Sequence, residues 1–260
     1  MLGTLVGEAG TRVSALQPRS GELERASAAS RVPPAFADAF ATDRVAVIAE
    51  IKRRSPSKGA LNASLAAETQ AGRFELGGAR AVSVLTESSR FGGSLDDLRH
   101  ARSGCTLPLL RKDFLIDPLQ LMEARLFGAS AVLLIARALP PQTLSALAQL
   151  ARELSLEPLV EIRDERELDA ALDAGAMFIG VNSRNLETLV VDPKIFQSLI
   201  PRIPADRIAI AESGLGTVAD VRAVADLGAD AVLVGSALSL AGDPTDALRM
   251  MTGVERRGRG

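Results

Sequence analysis

A glycine–alanine pair recurs at regular intervals along the chain, and this repeat restricts the possible folds more than any other feature of the sequence. The pairs are Gly78-Ala79, Gly128-Ala129, Gly175-Ala176 and Gly228-Ala229, about fifty residues apart. Each pair ends a stretch with helical spacing and precedes a short apolar run. Glycine suits that position because it adopts a positive φ without steric cost. The repeat predicts a double βα module that occurs four times.

Eight short apolar runs alternate with helical patterns after residue 44. The predicted strands are 45–51, 81–85, 107–110, 131–135, 158–162, 178–181, 208–211 and 231–234. The predicted helices are 65–76, 95–102, 119–127, 143–154, 165–174, 194–199, 218–227 and 245–251. Continuous apolar strands that alternate with helices are typical of a parallel sheet covered by helices.

Eight βα units are the number that a closed (β/α)₈ TIM barrel requires, so the predicted fold class is an α/β barrel of that type. A doubly wound open sheet also uses βα units. It would usually have a Gly-rich phosphate turn after its first strand, but 53–57 reads Arg-Arg-Ser-Pro-Ser. The sequence therefore favours the barrel.

The chain is predicted to form a single TIM-barrel domain over 1–260, with an N-terminal helical extension at 1–44 and the barrel at 45–251. In the extension, apolar residues at 2, 5, 6 and 13 indicate one amphipathic helix, and 22–29 indicates a second. Pro33-Pro34 then ends the helical pattern. We expect this extension to pack on the barrel, where it could cap one mouth. Residues 252–260 are predicted to be a flexible tail.

The composition excludes several classes of function. The chain has 260 residues, of which 47% are hydrophobic, enough for a large core. Lys plus Arg (30) nearly balance Asp plus Glu (32), so nucleic acid and acidic membranes are not expected partners. One cysteine rules out an internal disulfide and fits a reducing compartment, and one histidine argues against a histidine-built metal site or catalytic triad. With no signal-peptide pattern and no long apolar run, we expect a cytoplasmic protein.

The first predicted strand ends in two opposite charges, Glu50 and Lys52. Residues two apart on a strand point to the same face, so the two side chains should meet. At about 4 Å and an effective dielectric constant near 20, such a pair interacts by roughly 4 kcal/mol. That energy is enough to keep both groups charged in a partly buried site, although a solvent-exposed strand end would explain one such pair equally well.

Other predicted strands also end in polar side chains. They are Lys112, Glu161, Asn182 and Glu212, after the third, fifth, sixth and seventh strands. In TIM barrels the active site is built from the carboxyl ends of the strands, so these groups should converge with Glu50 and Lys52 on one mouth. Structural ion pairs could account for some of them. The full set is better explained by a catalytic site, because strand residues are rarely charged unless paired or used.

The last two strands are followed by small, flexible turns, Ser213-Gly214 and Gly235-Ser236. Backbone N–H groups at a glycine turn form an anion site, and barrels commonly bind phosphate in the loops after strands seven and eight. The residues alone therefore predict a barrel enzyme that acts on a phosphorylated small molecule, with lysine and glutamate transferring protons.

Several motifs closely resemble those of indole-3-glycerol-phosphate synthase. They are Ala49-Glu50-Ile51-Lys52, Ser55-Pro56-Ser57-Lys58-Gly59, Ser83-Val84-Leu85-Thr86-Glu87, Leu110-Arg111-Lys112-Asp113-Phe114, Leu159-Val160-Glu161-Ile162, Gly180-Val181-Asn182-Ser183-Arg184 and Ala211-Glu212-Ser213-Gly214. The resemblance runs from about 45 to 240 in the family's order. It implies ring closure of 1-(2-carboxyphenylamino)-1-deoxyribulose 5-phosphate to indole-3-glycerol phosphate, carbon dioxide and water in tryptophan biosynthesis, without a metal or organic cofactor. Asn185 and Leu119 depart from the family pattern, which usually has aspartate and an aromatic residue there.

The resemblance also implies roles for individual residues. Lys112 resembles the general acid that protonates the substrate carbonyl, and Glu161 the carboxyl group that assists loss of hydroxide. The other catalytic positions hold or orient substrate and these groups; they are Lys52, Glu50, Asn182, Glu212 and Ser213. Arg184 with Ser55 would contact the substrate carboxylate. The apolar walls would be Phe91, Phe114, Leu133 and Leu186, and the phosphate would bind at Gly214, Leu215, Gly235 and Ser236.

A lysine acid would be expected to have a lowered pKa, because desolvation and neighbouring like charges both act in that direction. The expected partner is a small phosphorylated substrate. A monomer is predicted, and association with other enzymes of the tryptophan pathway stays open. Three alternatives also stay open: a sister barrel such as phosphoribosylanthranilate isomerase, an aldolase barrel that uses a lysine Schiff base, and a binding barrel without activity.

Overall fold

Eight parallel strands close into a barrel in the computed structural model, which describes residues 1–259. The strands are β1 Ala46–Ile51, β2 Ala81–Leu85, β3 Leu109–Lys112, β4 Ala131–Ile135, β5 Glu157–Ile162, β6 Phe178–Asn182, β7 Ile208–Glu212 and β8 Ala231–Val234. Each strand pairs with the next one along the chain, and β8 pairs with β1. This closure confirms the predicted barrel and excludes the open sheet.

Successive side chains on each strand point alternately outward and inward, and this alternation produces two apolar cores. On β1, Val47 and Ala49 face outward into the layer between strands and helices. Ala46 and Ile48 face inward and fill the barrel interior. Because the period is two, the next inward position on β1 is Glu50, which lies at the carboxyl end of the interior. The same alternation places the other polar strand ends above an apolar floor.

Helices cover the outside of the barrel. They are α1 Leu2–Leu16, α2 Ser20–Ala29, α3 Ala67–Leu76, α4 Leu95–Gly104, α5 Pro118–Leu126, α6 Pro141–Glu153, α7 Glu165–Asp173, α8 Lys194–Leu199, α9 Val218–Asp226, α10 Ser236–Leu240 and α11 Thr245–Thr252. The glycine of each repeated pair has a positive φ, between 68° and 93°, at Gly78, Gly128, Gly175 and Gly228. The predicted reason for those glycines is thereby confirmed.

The structure differs from the prediction in local details. Strand β3 begins two residues later than predicted and extends through Lys112. A five-residue helix, α10, directly follows β8, ahead of the last of the predicted helices. The loop after β1 contains a small antiparallel hairpin, Arg54–Ser55 with Gly59–Ala60. Short elements of this kind lack the apolar periodicity that reveals longer ones.

The N-terminal extension contacts both ends of the barrel. Helix α1 lies at the carboxyl ends of the strands, where Arg12 donates to Asp113 at 2.8 Å. Helix α2 packs along α5 on the outside. A short 3₁₀ helix, Phe36–Phe40, then closes the opposite mouth, since the rings of Phe36 and Phe40 lie 5.2 Å and 5.1 Å from that of Phe178 at the start of β6. Thus α1 lies over the mouth at the carboxyl ends of the strands, and the 3₁₀ helix plugs the other one.

The segment that the sequence predicts to be a flexible tail makes specific contacts over its described part, 252–259. Val254 is buried, and its carbonyl accepts the Val45 N–H at 2.9 Å. The Arg259 side chain is only 4% exposed and donates to Asp230 Oδ2 at 2.7 Å. Asp230 immediately precedes β8, so this ion pair joins the end of the described chain to the floor of the barrel. As for membranes, no helix in the described part of the chain is both long and apolar enough to cross one.

We predict that Phe36→Ala destabilises the fold strongly, because the ring is fully buried in the plug. The free energy of unfolding should fall by about 3–5 kcal/mol in urea denaturation. Val32→Ala, in the exposed segment before the plug, is the matched control and should change it by less than about 0.5 kcal/mol. Equal stabilities of Phe36→Ala and the wild type would contradict the plug.

Candidate active site

The carboxyl ends of the strands surround a cavity of about 560 Å³. Every site residue predicted from the sequence lines it. These residues are Glu50, Lys52, Ser55, Phe91, Lys112, Phe114, Leu133, Glu161, Asn182, Arg184, Leu186, Glu212, Ser213, Gly214, Leu215, Gly235 and Ser236. The cavity therefore brings together charged, apolar and glycine-rich regions of the chain that are far apart in sequence.

Glu50 and Lys52 form a close ion pair at the mouth, with Lys52 Nζ 2.6 Å from Glu50 Oε1. Both side chains are largely buried. The pair lies against Gly235, where a Cβ atom would fall 2.2 Å from Glu50 Oε1 and 2.9 Å from Lys52 Nζ. Period-two alternation correctly predicted that these two charges meet. The glycine opposite them provides the space they occupy.

Lys112 lies between two buried carboxylates. Its Nζ donates to Glu161 Oε2 at 3.3 Å and lies 3.3 Å from Glu212 Oε2. The Glu161 and Glu212 side chains are only 4% and 1% exposed. Because buried charges are tolerated only when paired, the ammonium and its two carboxylates depend on one another. The structure thus places the predicted acid at the centre of a charge cluster.

The pKa of Lys112 shifts in the direction opposite to the sequence expectation. Burial opposes the charged form, but the negative charges of Glu212, Glu161 and Glu50 together outweigh it and raise the pKa above its ordinary value. The prediction of a lowered pKa considered only desolvation and like charges. It did not include the three carboxylates that surround the ammonium. Lys112 therefore holds its proton at neutral pH and can supply it to a substrate.

Glu212 is the most unusual carboxyl group in the cavity. Burial raises its pKa to about 7, because desolvation together with the charges of Glu161 and Glu50 outweighs the attraction of Lys112. Among residues 1–259, no donor makes a well-formed hydrogen bond to either of its carboxyl oxygens. A buried carboxyl that titrates near neutral pH is typical of functional sites.

The loop after β6 positions Asn182 and Arg184. Asn182 Oδ1 accepts the backbone N–H of Arg184 at 2.9 Å. The Arg184 guanidinium donates to the Leu189 carbonyl at 2.8 Å and to Ser57 Oγ, 3.4 Å away in the loop after β1. Asn185 Oδ1 accepts the N–H groups of two following residues, at 2.8 Å and 3.1 Å, as an aspartate oxygen would. The departure from the family pattern at this position therefore preserves the turn.

The turn after β7 has an unusual backbone. Ser213 and Gly214 have φ values of 70° and 75°, and the left-handed region is rarely adopted by serine. Ser183, which is fully buried, donates its hydroxyl to the Ser213 carbonyl at 3.0 Å and so supports this conformation. Strained residues of this kind cluster at ligand sites. The geometry is consistent with a turn built to approach a ligand closely.

Several residues at the site were missed by sequence reasoning. The buried carboxylate of Glu87 accepts the N–H groups of Ser89, Arg90 and Phe91 and so fixes the loop that holds the Phe91 ring. Met1 of the extension also lines the cavity. Glu87 ends the motif Ser83-Val84-Leu85-Thr86-Glu87, but backbone contacts within a loop have no sequence signature. The position of Met1 follows only from the packing of α1.

A family model described as indole-3-glycerol phosphate synthase matches residues 4–251 of the chain. Indole-3-glycerol phosphate synthase 2 of Streptomyces coelicolor is 44% identical over 255 residues, which cover 97% of this chain and 99% of that protein. Indole-3-glycerol phosphate synthase of Nocardioides sp. is 51% identical over 209 residues, which cover 80% of each protein. The family-model match extends over all eight strands that build the cavity and over most of the extension.

Solved structures with a similar fold are much more distant in sequence. The 3-hexulose-6-phosphate synthase of Salmonella typhimurium has a TM-score of 0.64 and 16% identity, covering 80% of this chain and 97% of that one. Thiamine phosphate pyrophosphorylase of Pyrococcus furiosus has a TM-score of 0.60 and 16% identity, covering 80% and 94%. At this level of identity the likeness shows the barrel fold alone.

We predict that Glu212→Gln changes the pH dependence of stability. The raised pKa means that the folded protein binds this proton more tightly than the unfolded chain. The resulting stabilisation is complete below the unfolded value near 4.5 and is lost as the pH rises through about 7. Glutamine cannot ionise, so the variant should gain stability relative to the wild type between pH 5 and pH 8.

Urea denaturation at pH 5, 6, 7 and 8 measures this gain. Glu24→Gln, at an exposed position on α2, controls for the loss of one negative charge. A difference between Glu212→Gln and the wild type that stays constant across this range would show that Glu212 does not bind its proton more tightly in the folded state.

Proposed function

The chain belongs to the indole-3-glycerol phosphate synthase family, and we propose that Lys112, Glu161 and their neighbours perform the chemistry of that family in the cavity described above. The enzyme is a decarboxylating lyase of tryptophan biosynthesis, EC 4.1.1.48. One observation supports the assignment of roles most strongly: the Lys112 ammonium lies 3.3 Å from two buried carboxylates in a cavity with apolar walls.

Ring closure requires a proton at the substrate carbonyl as the aromatic carbon attacks it. Lys112 supplies this proton, since its raised pKa keeps it charged. Positioned general acids typically contribute about 10²–10⁴-fold to the rate. The surrounding carboxylates also limit its acidity. When Glu212 takes up a proton, one of the charges that raise the pKa of Lys112 is removed, and Lys112 releases its proton more readily.

Loss of carbon dioxide follows from the cyclised intermediate, in which the carboxylated ring carbon also carries the new bond. The walls of the cavity at Phe114, Leu133 and Leu186 are apolar and exclude water from the departing carboxylate. Phe114 and Leu133 are themselves buried, so the wall is part of the interior core. Loss of the carboxylate as neutral carbon dioxide then leaves the bonding electrons in the ring system.

Loss of water completes the indole: the hydroxyl formed from the carbonyl leaves, and the neighbouring ring carbon gives up a proton as the new double bond forms. Glu161 assists this step. Its carboxyl group is buried beside Lys112, where it can exchange a proton with the ammonium through their hydrogen bond. Lys52 holds substrate oxygens and is oriented by Glu50 at 2.6 Å. Thus the Lys112–Glu161 pair transfers protons, and the Lys52–Glu50 pair positions the substrate.

The substrate has an anionic group at each end, and the cavity offers a different region to each. Arg184, with Ser55 nearby in the loop after β1, binds the aromatic carboxylate; a planar guanidinium suits that contact. The turns at Ser213-Gly214-Leu215 and Gly235-Ser236 bind the phosphate together with Lys52. Asn182 and Ser213 fix the substrate between these two ends.

The alternatives are less consistent with the site. A Schiff-base aldolase needs a neutral lysine amine as nucleophile, whereas its carboxylate neighbours keep Lys112 charged. An isomerase or an inactive binding barrel would share the phosphate turns but has no need for the Lys112 cluster. We further propose that the enzyme is a cytoplasmic monomer that can associate with other enzymes of the pathway.

We predict that the purified protein converts 1-(2-carboxyphenylamino)-1-deoxyribulose 5-phosphate to a fluorescent indole without added metal, and that Lys112→Ala lowers kcat by at least about 10²-fold. Indole fluorescence measures turnover directly. Lys194→Ala, an exposed lysine on α8, is the matched control and should retain wild-type kcat. Full activity of Lys112→Ala would exclude it as the acid.

We predict that Arg184→Ala raises KM for the substrate by about 10–150-fold, because a charge-assisted contact worth about 1.5–3 kcal/mol is lost. Arg184→Lys should be intermediate, since an ammonium lacks the planar fork. Indole-3-glycerol phosphate has no carboxylate, so its dissociation constant, measured by product inhibition, should be unchanged in both variants. Equal weakening of substrate and product would indicate that Arg184 only supports the loop.

A further inference from the structure

Gly180 on β6 faces the barrel interior directly below the catalytic cluster. It is the register partner of Glu161 on β5 and of Ile210 on β7, and Glu212 lies two residues beyond Ile210. A Cβ atom at Gly180 would fall 2.1 Å from Glu212 Oε1 and 3.2 Å from its Cδ. The carboxyl group of Glu212 therefore occupies the space that any other residue at position 180 would fill.

The backbone gives no reason for a glycine at this position. Gly180 has no positive φ, and it lies within a regular strand that pairs on both sides. Glycine within a strand lowers stability by roughly 0.5–1 kcal/mol relative to alanine. What requires glycine here is the close approach of the Glu212 carboxyl group.

We propose that Gly180 is a positioning residue that acts through Glu212. By leaving a side-chain-sized space in β6, it allows the Glu212 carboxyl group to lie in the barrel interior at 3.3 Å from the Lys112 ammonium. The inference rests on the role of Lys112 as the acid. Gly180 begins the motif Gly180-Val181-Asn182-Ser183-Arg184 but has no assigned role in the reaction, and it does not line the cavity.

The Glu212 carboxyl group depends on this space because little else holds it. Within the described chain, no well-formed hydrogen bond restrains either oxygen, so packing and the attraction of Lys112 fix its position. The other nearby group is Leu159 Cδ1, 3.4 Å from the position of the added Cβ atom, an ordinary contact. A methyl group at position 180 would consequently displace the carboxyl end of Glu212, a flexible side chain, and leave the strands in place.

The same arrangement occurs at Gly235, which leaves room for Glu50 Oε1 beside Lys52. Two carboxyl groups of the cavity thus each lie against a glycine of a neighbouring strand or strand end. Gly235 is the poorer position for a test, because it also belongs to the proposed phosphate turn. Gly180 does not line the cavity, so a change there reaches the reaction through Glu212.

The first experiment compares kcat and KM of Gly180→Ala with those of the wild type. We expect kcat to fall by about 10–100-fold, since a displacement of a catalytic group by about 1 Å has effects of that size. KM should stay within about twofold of the wild-type value, because the substrate contacts are untouched. Gly242→Ala, at an exposed glycine with no atom within 4 Å of the added Cβ, is the control and should keep wild-type kcat.

The second experiment repeats the change in a Glu212→Asp background. Aspartate is one methylene shorter, so its carboxyl group withdraws from the space at position 180. Glu212→Asp alone should lower kcat, but the added Gly180→Ala should then lower it by less than about threefold. If Gly180→Ala lowers kcat by the same factor in both backgrounds, the two residues act independently and the proposal is overturned.

A measurement of thermal unfolding keeps the test decisive if Gly180→Ala folds poorly. In a Glu212→Ala background the space is vacated, so Gly180→Ala should fold and raise Tm above that of Glu212→Ala alone. If Gly180→Ala instead lowers Tm by the same amount in the wild-type and the Glu212→Ala backgrounds, the added methyl meets something other than Glu212, and the proposal is overturned. These unfolding data do not depend on activity. Full turnover by Lys112→Ala would refute the proposed role of Lys112, but it would not affect the contact between Gly180 and Glu212.

Discussion

The Lys112 ammonium and the two carboxylates beside it are the interaction on which the rest of the site depends. Nζ lies 3.3 Å from Glu161 Oε2 and 3.3 Å from Glu212 Oε2, and all three side chains are largely or fully buried. Removing such charges from water costs several kcal/mol per ion unless the partners lie close together. The barrel meets this requirement because the inward positions of β3, β5 and β7 end at the same height.

Function and stability conflict at several positions around this cluster. Glu212 is buried without a well-formed hydrogen bond in the described chain, Ser213 has a left-handed backbone, and Gly180 leaves a strand position without a side chain. Each of these features would be removed by selection for stability alone. Compensation comes from the two apolar cores and from the aromatic plug, which lies at the mouth opposite the reacting groups.

Much of the fold follows from the sequence because its determinants are local. The strands are recognisable as apolar runs, and the glycines that end the helices mark each turn into the next strand. The meeting of Glu50 with Lys52 follows from period two. The pKa of Lys112 could not be inferred in this way, because its direction depends on distances to residues on β5 and β7. The contact between Gly180 and Glu212 joins two strands, and the plug at Phe36 depends on tertiary packing, so neither has a sequence signature.

A ring of carboxylates keeps Lys112 charged while Glu212 titrates beside it, and NMR can observe both groups. The chain has only four lysines, Lys52, Lys58, Lys112 and Lys194, so selective ¹³C labelling of the lysine side chains gives a spectrum that single substitutions can assign. A pH titration by NMR should show the Lys112 Cε signal in its charged position up to pH 10, with a small shift near pH 7 that is absent in Glu212→Gln. Loss of the Lys112 proton below pH 9 would show that the surrounding carboxylates do not keep the ammonium charged.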